Sequence, residues 1–268
     1  MSVDIRNAQV KNLNVGPTIV TEGLIAWWNA ASVLSYPRTG SVWYDLVQNR
    51  NNGSLVNMSA DNFTDDGGGA LTFDGTDEYV SIPHDPSIDF GSGSFTVSLW
   101  VKFSRSMTGD GYLIGKRGIT TTGNYAGWSL LVKALYHSSW QLNGIILANG
   151  SSTSTIPTTL DGNPPLNEWT PISLTYDSLV GTVTLVLSDR DLVVSSSAIT
   201  PPFGSIANSL PLEMLGTTCL NNSDNSPTVY SAIAASVANV VLYKRALTEE
   251  EIFTNYISTR SRFIPDSV

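Results

Sequence analysis

The sequence predicts an all-β fold of two packed antiparallel sheets, with one short C-terminal helix. Three observations carry that reading. In SFTVSLWVKF, Phe95, Val97, Leu99, Val101 and Phe103 share one face and Ser94, Thr96, Ser98, Trp100 and Lys102 the other, a period of two that fits only a strand. Further β-rich runs recur between turn-forming clusters at NRNNGS, DDGGG, HDPS, DGNPP and NNSDNSP. Strands with apolar faces on both sides of a core favour a sandwich over one open sheet.

Taken in order, residues 1–22 are polar and Asn-rich, with Gly16-Pro17 as a break. They read as an arm for attachment or subunit contact, because Val3, Ile5, Val10, Leu13 and Val15 give it an apolar surface that can dock on a neighbour. From Gly23 the aromatic-rich GLIAWWNAAS opens the sandwich domain, expected to run over 23–262. WSLLVKAL and VANVVLYK are β-rich, WTPISLTYD carries Ile172, Leu174 and Tyr176 on one face, and GTVTLVLS carries Val183, Leu185 and Leu187. A helix is predicted over 249–259. Thr248 is its N-cap, Glu251 three residues on completes a capping box, and Glu249 and Glu250 set negative charge in the first turn. Ile252, Phe253, Tyr256 and Ile257 fall on roughly one side, and 263–268 form a tail.

Composition narrows the function classes. The 268 residues are 41% hydrophobic and only 14% charged, which suits one large domain with a substantial core. A net charge of -9 argues against nucleic acid or an anionic membrane as partner. Cys219 is the single cysteine, so an internal disulfide and a thiolate metal cluster are excluded, and it reads as a small buried hydrophobe. The opening residues show no secretory signal and no run is long enough to span a bilayer. The Asn-x-Ser/Thr sequons therefore read as loop chemistry.

Catalytic signatures are missing as well. Glycosidases need two carboxylates facing one cleft. No E-x-D-x-x-E run occurs, Glu22, Glu78, Glu168 and Glu213 are isolated, and Glu249 to Glu251 belong to the helix start. No G-x-S-x-G elbow or phosphate-binding glycine loop is present, and His84 and His137 have no motif around them. The chain is expected not to be an enzyme and to require no cofactor.

Two clusters invite a ligand. In FDGTDEYVSIP, Asp74, Asp77 and Glu78 read as a tight hairpin turn, with a rim calcium site as the alternative. Three acids do not fill a calcium shell, although Asp61, Asp65 and Asp66 lie nearby in sequence. In GYLIGKRGITTTGNYAGW and just beyond it, Tyr112, Asn124, Tyr125, Trp128, His137 and Trp140 supply the aromatic faces and amide groups that hold sugars, while their ordinary reading is core or edge cover.

The ordered set GLIAWWNAAS, WYDLVQNRNNGSL, ALTFDGTDEYVSIP, SFTVSLWVKF, NEWTPISLTYD and VANVVLYKRALTEEEIFTNY resembles the laminin-G-like, concanavalin-A-like jelly-roll superfamily over nearly the whole chain. ASVLSYPRTGSVWYDLVQNRNNGSL and NYISTRSRF are most similar to its domains in structural proteins of tailed bacteriophages. The resemblance implies a carbohydrate or protein ligand at the loops or the concave face, and in some members a rim calcium. The expectation is a non-enzymatic, homo-oligomeric virion protein that decorates the capsid surface, tethered through its arm to other virion proteins or neighbouring copies. The alternative is a carbohydrate-binding tail or receptor-binding protein that takes host or environmental glycans.

Overall fold

The computed structural model describes residues 18–105, 110–119, 125–134, 140–147, 158–160, 164–187, 193–198, 204–215, 219–220, 227–228 and 233–264. In chain order the strands begin with β1 (Leu24–Asn29), β2 (Val42–Trp43), β3 (Gly53–Val56), β4 (Phe63–Thr64), β5 (Ala70–Asp74) and β6 (Tyr79–Ile82). They continue with β7 (Phe95–Phe103), β8 (Gly111–Ile119), β9 (Tyr125–Ala134), β10 (Trp140–Leu147), β11 (Thr158–Leu160) and β12 (Trp169–Asp177). The last are β13 (Thr182–Leu187), β14 (Val193–Ala198), β15 (Leu212–Met214), β16 (Cys219–Leu220), β17 (Pro227–Thr228) and β18 (Ala234–Tyr243), followed by the helix α1 (Glu249–Thr259).

These strands form two antiparallel sheets. Sheet A runs β14-β13-β12-β7-β18-β5-β4, with β1 also against β18, and sheet B runs β11-β10-β9-β8-β15-β6-β3-β2. β16 and β17 pair as a small separate ribbon. Consecutive strands repeatedly change sheet, as β5 to β6 and β7 to β8 do, which is the winding of a jelly-roll sandwich.

The period-two pattern places the core as expected. Phe95, Val97, Leu99, Val101 and Phe103 face inward from β7, and Ile172, Leu174 and Tyr176 face inward from β12. Leu142 and Ile146 meet them from sheet B, and the absent side chain of Gly144 leaves room for Leu174, whose Cδ1 would lie 2.4 Å from an added Cβ. A buried carboxylate secures the loop after β2: Asp45 accepts hydrogen bonds from the backbone of Trp27 and Val47, both at 3.0 Å. Those bonds are why Asp45 can lie inside, at 3% exposure, in this otherwise polar loop.

Helix α1 has the expected bounds, and its capping box is complete, with Thr248 N–H donating to Glu251 at 3.0 Å and Glu251 N–H donating to Thr248 at 3.3 Å. Its buried side differs from the expected one by a residue. Asn255 is buried in place of Phe253, which is 46% exposed. The cause is a polar seam: Asn255 Oδ1 accepts from Val20 N–H at 2.8 Å and its amide donates to the Tyr243 hydroxyl at 3.0 Å, while that hydroxyl donates to Val20 C=O. Ile19 and Val20 are thus stitched to the sandwich, and the expected arm positions Val3, Ile5, Val10, Leu13 and Val15 lie outside the described residues.

The chain seals the outer face of sheet A with its own end. Phe263 stacks on Trp100 with centroids 4.3 Å apart and tilts against Trp169 at 5.0 Å. Trp100 donates its indole N–H to Thr259 Oγ1 at 2.9 Å, and Arg262 donates to Gly67 C=O and Asn29 Oδ1. No helix among the described residues is long and apolar enough to cross a membrane.

Candidate functional site

The acidic stretch FDGTDEYVSIP is not a hairpin. Asp74 ends β5 in sheet A and Tyr79 starts β6 in sheet B, so the turn carries the chain across the edge of the sandwich. Gly75 has φ +75°, and a Cβ there would come within 2.6 Å of Ala234 N. The acids hold this crossing with backbone and amide donors. Asp74 Oδ1 accepts from Thr76 N–H at 2.7 Å, Glu78 accepts from Asp74 N–H at 2.6 Å and from Asn62 at 2.8 Å, and Asp77 accepts from Asn57 at 3.0 Å. Among the described residues no group of three or more His, Cys, Asp or Glu side chains is placed to hold a metal ion. Asp66 is drawn instead to Lys102 and Trp169. Burial pushes its carboxyl up, but the hydrogen bonds from those two side chains outweigh it and leave it below the usual range.

The aromatic cluster divides. Tyr112 lies half-buried on the outer face of sheet B, with the Arg117 guanidinium 5.7 Å from its ring centre. Trp128 corrects the expectation of a sugar platform: it is 1% exposed inside the sandwich, against Phe95 at 4.8 Å and Phe90 at 6.0 Å. Alternation on β9 causes this, because Trp128, Leu130 and Val132 all face the core. The backbones of Tyr125 and Trp140 open β9 and β10, while Asn124, His137 and the side chains of Tyr125, Trp140 and Cys219 lie outside the described residues.

That same alternation turns other residues outward. On β9, Ser129, Leu131 and Lys133 face away from the core, on β10 Asn143 and Ile145 do, on β15 Glu213 does, and on β6 Tyr79 and Ser81 do. Register sets Ser81, Glu213, Gly115, Ser129 and Ile145 side by side across five strands. Beside this row, Tyr112 pairs with Leu131 and Leu131 with Asn143. The floor is buried, with Ser129 at 0%, Glu213 at 5% and Asn143 at 5% exposure, whereas Tyr79, Ser81, Tyr112, Arg117 and Gln141 flank it half-exposed. Gly115 keeps the middle of the floor bare, since a Cβ there would stand 2.8 Å from that of Ser129. Arg117 reaches Ser129 Oγ at 3.5 Å. The Tyr79 phenol is pushed up, first by burial and then by the charge of Glu213.

Between Gly115 and Arg117, Lys116 points the other way and is 2% exposed. Its ammonium donates to the carbonyl and Oδ1 of Asn208, and the Asn208 amide donates back to Lys116 C=O at 3.1 Å. Burial pulls its pKa down to about 8, against a weaker upward pull from Asp89. This clamp holds the 204–210 segment to β8. On the outer face of sheet A, a cavity of about 30 Å³ under α1, lined by Ser98, Ser173, Asn239 and Asn255, holds no more than a water or two.

Sequence reasoning picked Tyr112 on the polar face and treated Glu213 as isolated. It missed Arg117, Ser129 and Asn143, whose signal was the polar side of the alternation in β8, β9 and β10.

Two antiparallel sheets wound against each other in this way define a jelly-roll sandwich. The chain belongs to the Concanavalin A-like lectin/glucanases superfamily, whose laminin-G model matches residues 74–253. No curated protein matches the sequence. Among solved structures, Trypanosoma rangeli sialidase is similar with a TM-score of 0.61 at 17% identity, over 97% of this chain and 38% of that one. The binding domain of Botulinum Neurotoxin DC in complex with SialylT is similar with a TM-score of 0.59 at 15% identity, over 92% of this chain and 53% of that one. The binding domain of Paraclostridial Mosquitocidal Protein 1 has a TM-score of 0.54 at 15% identity, over 86% of this chain and 51% of that one. The chain spans less than two thirds of each, and at these identities the likeness is one of fold.

Proposed function

We propose that this chain is a non-enzymatic, lectin-like module that binds glycans on the outer face of sheet B. One observation carries the reading. The outer face of sheet A is closed by the chain's own helix and Phe263, while sheet B keeps a buried polar floor of Glu213, Ser129 and Asn143 between half-exposed flanks. Sugars need hydrogen-bonding groups on a preformed surface with aromatic edges, which Tyr112 and Tyr79 supply here. Superfamily membership and the SialylT complex of the neurotoxin binding domain support the same reading. Hydrolysis needs a second carboxylate about 5 to 10 Å away, and among the described residues placed on this face Glu213 is the single acid. A glycan array with the full chain tests the proposal. Binding that weakens on Arg117→Ala supports it, and silence across neutral and acidic glycans overturns it.

The setting belongs to the same proposal: a virion surface, with residues 1–22 as the tether to other particle proteins. The support is geometric. Ile19 and Val20 lie on the α1 side of sheet A, opposite the proposed glycan face, so a tether there leaves sheet B free. If a chain lacking residues 1–20 still occupies particles fully, the tether is wrong.

A further inference from the structure

Asn143 stands out on the polar face. Its neighbours on β10 fix its direction: Leu142 and Ile146 are in the core, so Asn143 points to the outer side of sheet B. It is 5% exposed, and among the described residues its Oδ1 has no hydrogen-bond donor. A buried amide oxygen left without a donor costs stability, and a ligand that carries a donor removes that cost.

The surroundings of this oxygen narrow the donor. Leu131, 4% exposed, stands directly across from Asn143 on β9, and Ile145, half-buried, follows two positions along β10 on the same face. A hydroxyl can donate to Oδ1, but it brings two lone pairs of its own that Leu131 and Ile145 cannot satisfy. An amide N–H is a donor alone. An acetamido group sets beside that N–H a methyl whose burial against Leu131 and Ile145 is favourable. Its carbonyl needs a donor in turn. Gln141, half-exposed on β10, and Lys133, exposed opposite it on β9, stand on the same face and can donate.

The spacing fits one sugar residue. Asn143, Leu131 and Tyr112 pair in a row across β10, β9 and β8, so Asn143 and Tyr112 are two strand steps apart, about 10 Å at the usual spacing. A pyranose ring set against the half-exposed Tyr112 reaches Asn143 through a substituent that crosses Leu131.

We infer that this face selects sugars bearing an acetamido group, the N-acetylated amino sugars, with Asn143 Oδ1 accepting from the acetamido N–H and Leu131 and Ile145 holding its methyl. The inference rests on the reading of sheet B as the glycan face.

Titration calorimetry of the full chain decides it, with sugar pairs that differ only in carrying an acetamido or a hydroxyl group at one ring carbon: chitotetraose against cellotetraose, and N-acetylgalactosamine against galactose. The glycans bound on the array carry an acetamido group, and in a pair that binds the acetylated member is at least about tenfold tighter. Asn143→Leu, close in shape but without the acceptor, brings the acetylated member down to the level of its hydroxyl counterpart. Asn143→Asp, which keeps acceptor oxygens, retains the preference, with both variants checked for folding by circular dichroism. Equal binding within a pair, a preference for the hydroxyl member, or array binders without an acetamido group overturns the selectivity and leaves the glycan reading standing. Silence of the array to every glycan overturns the glycan reading itself, and this inference with it.

Discussion

The two outer faces of the sandwich are built on the same alternation and end differently. On sheet A the outward residues of β7 include Trp100 and Thr96, and both are covered: Trp100 by Phe263 and Tyr256, Thr96 by the segment that leads into α1, through its bond from Leu247 N–H. On sheet B the outward residues include Ser129, Asn143, Glu213 and a bare Gly115 beside Leu131 and Ile145, and Asn143 Oδ1 is left without a donor among the described residues. A face meant for permanent cover carries aromatic area that stabilises by burial, about 25 cal/mol per Å². The sheet B face instead presents directional polar groups, which suit the proposed ligand face. On the proposed function, stability and recognition would fall on opposite sides of one core.

Changes to each face should separate along that line. Phe263→Ala removes the ring packed between Trp100 and Trp169, so urea denaturation should show a loss of about 3 kcal/mol while the folded protein keeps its glycan affinity. Gly115→Val should do the converse in part. Its new side chain meets Ser129, so binding should fall at least about tenfold with a destabilisation of about 1–3 kcal/mol.

Next comes Lys116, which loses its proton in the folded state at about 8 but keeps it to about 10.5 when unfolded. The unfolded chain then holds more protons, so stability should rise between pH 8 and 10, and Lys116→Met should flatten that slope in chemical denaturation. The smallest effect belongs to the Arg245–Glu251 pair beside the α1 cap. The side-chain hydrogen bond from Arg245 lowers the Glu251 pKa, so its contribution is complete above about pH 4.5 and fades as pH falls through the folded value. Glu251→Gln should remove that acid-side loss in thermal melts from pH 5 to 3.

Most of the fold was legible because it rests on local pattern. Phe95 to Phe103 alternate without interruption, and Thr248 with Glu251 forms a capping box from four consecutive positions. The crossing at Asp74 to Glu78 was not legible, since a turn between two strands looks the same whether they pair or change sheets; only the partners, β18 for one and β15 for the other, decide it. Asn255 was hidden for a similar reason: its burial depends on Val20, far away in sequence. Of the proposed site, only Tyr112 was legible. Trp128 drew attention by its residue type, but its place in β9 sends it inward, and Glu213 looked isolated because Gly115 and Ser129 reach it only through register.

The division of labour between the faces is tested most directly by one paired affinity measurement. Calorimetry with a glycan found on the array compares Arg117→Ala, on the sheet B face, with Phe253→Ser, on the exposed side of α1, both checked for folding by circular dichroism. Arg117→Ala should weaken binding about tenfold and Phe253→Ser should leave it unchanged within about twofold. Loss on Phe253→Ser with retention on Arg117→Ala would place recognition on sheet A and contradict the account.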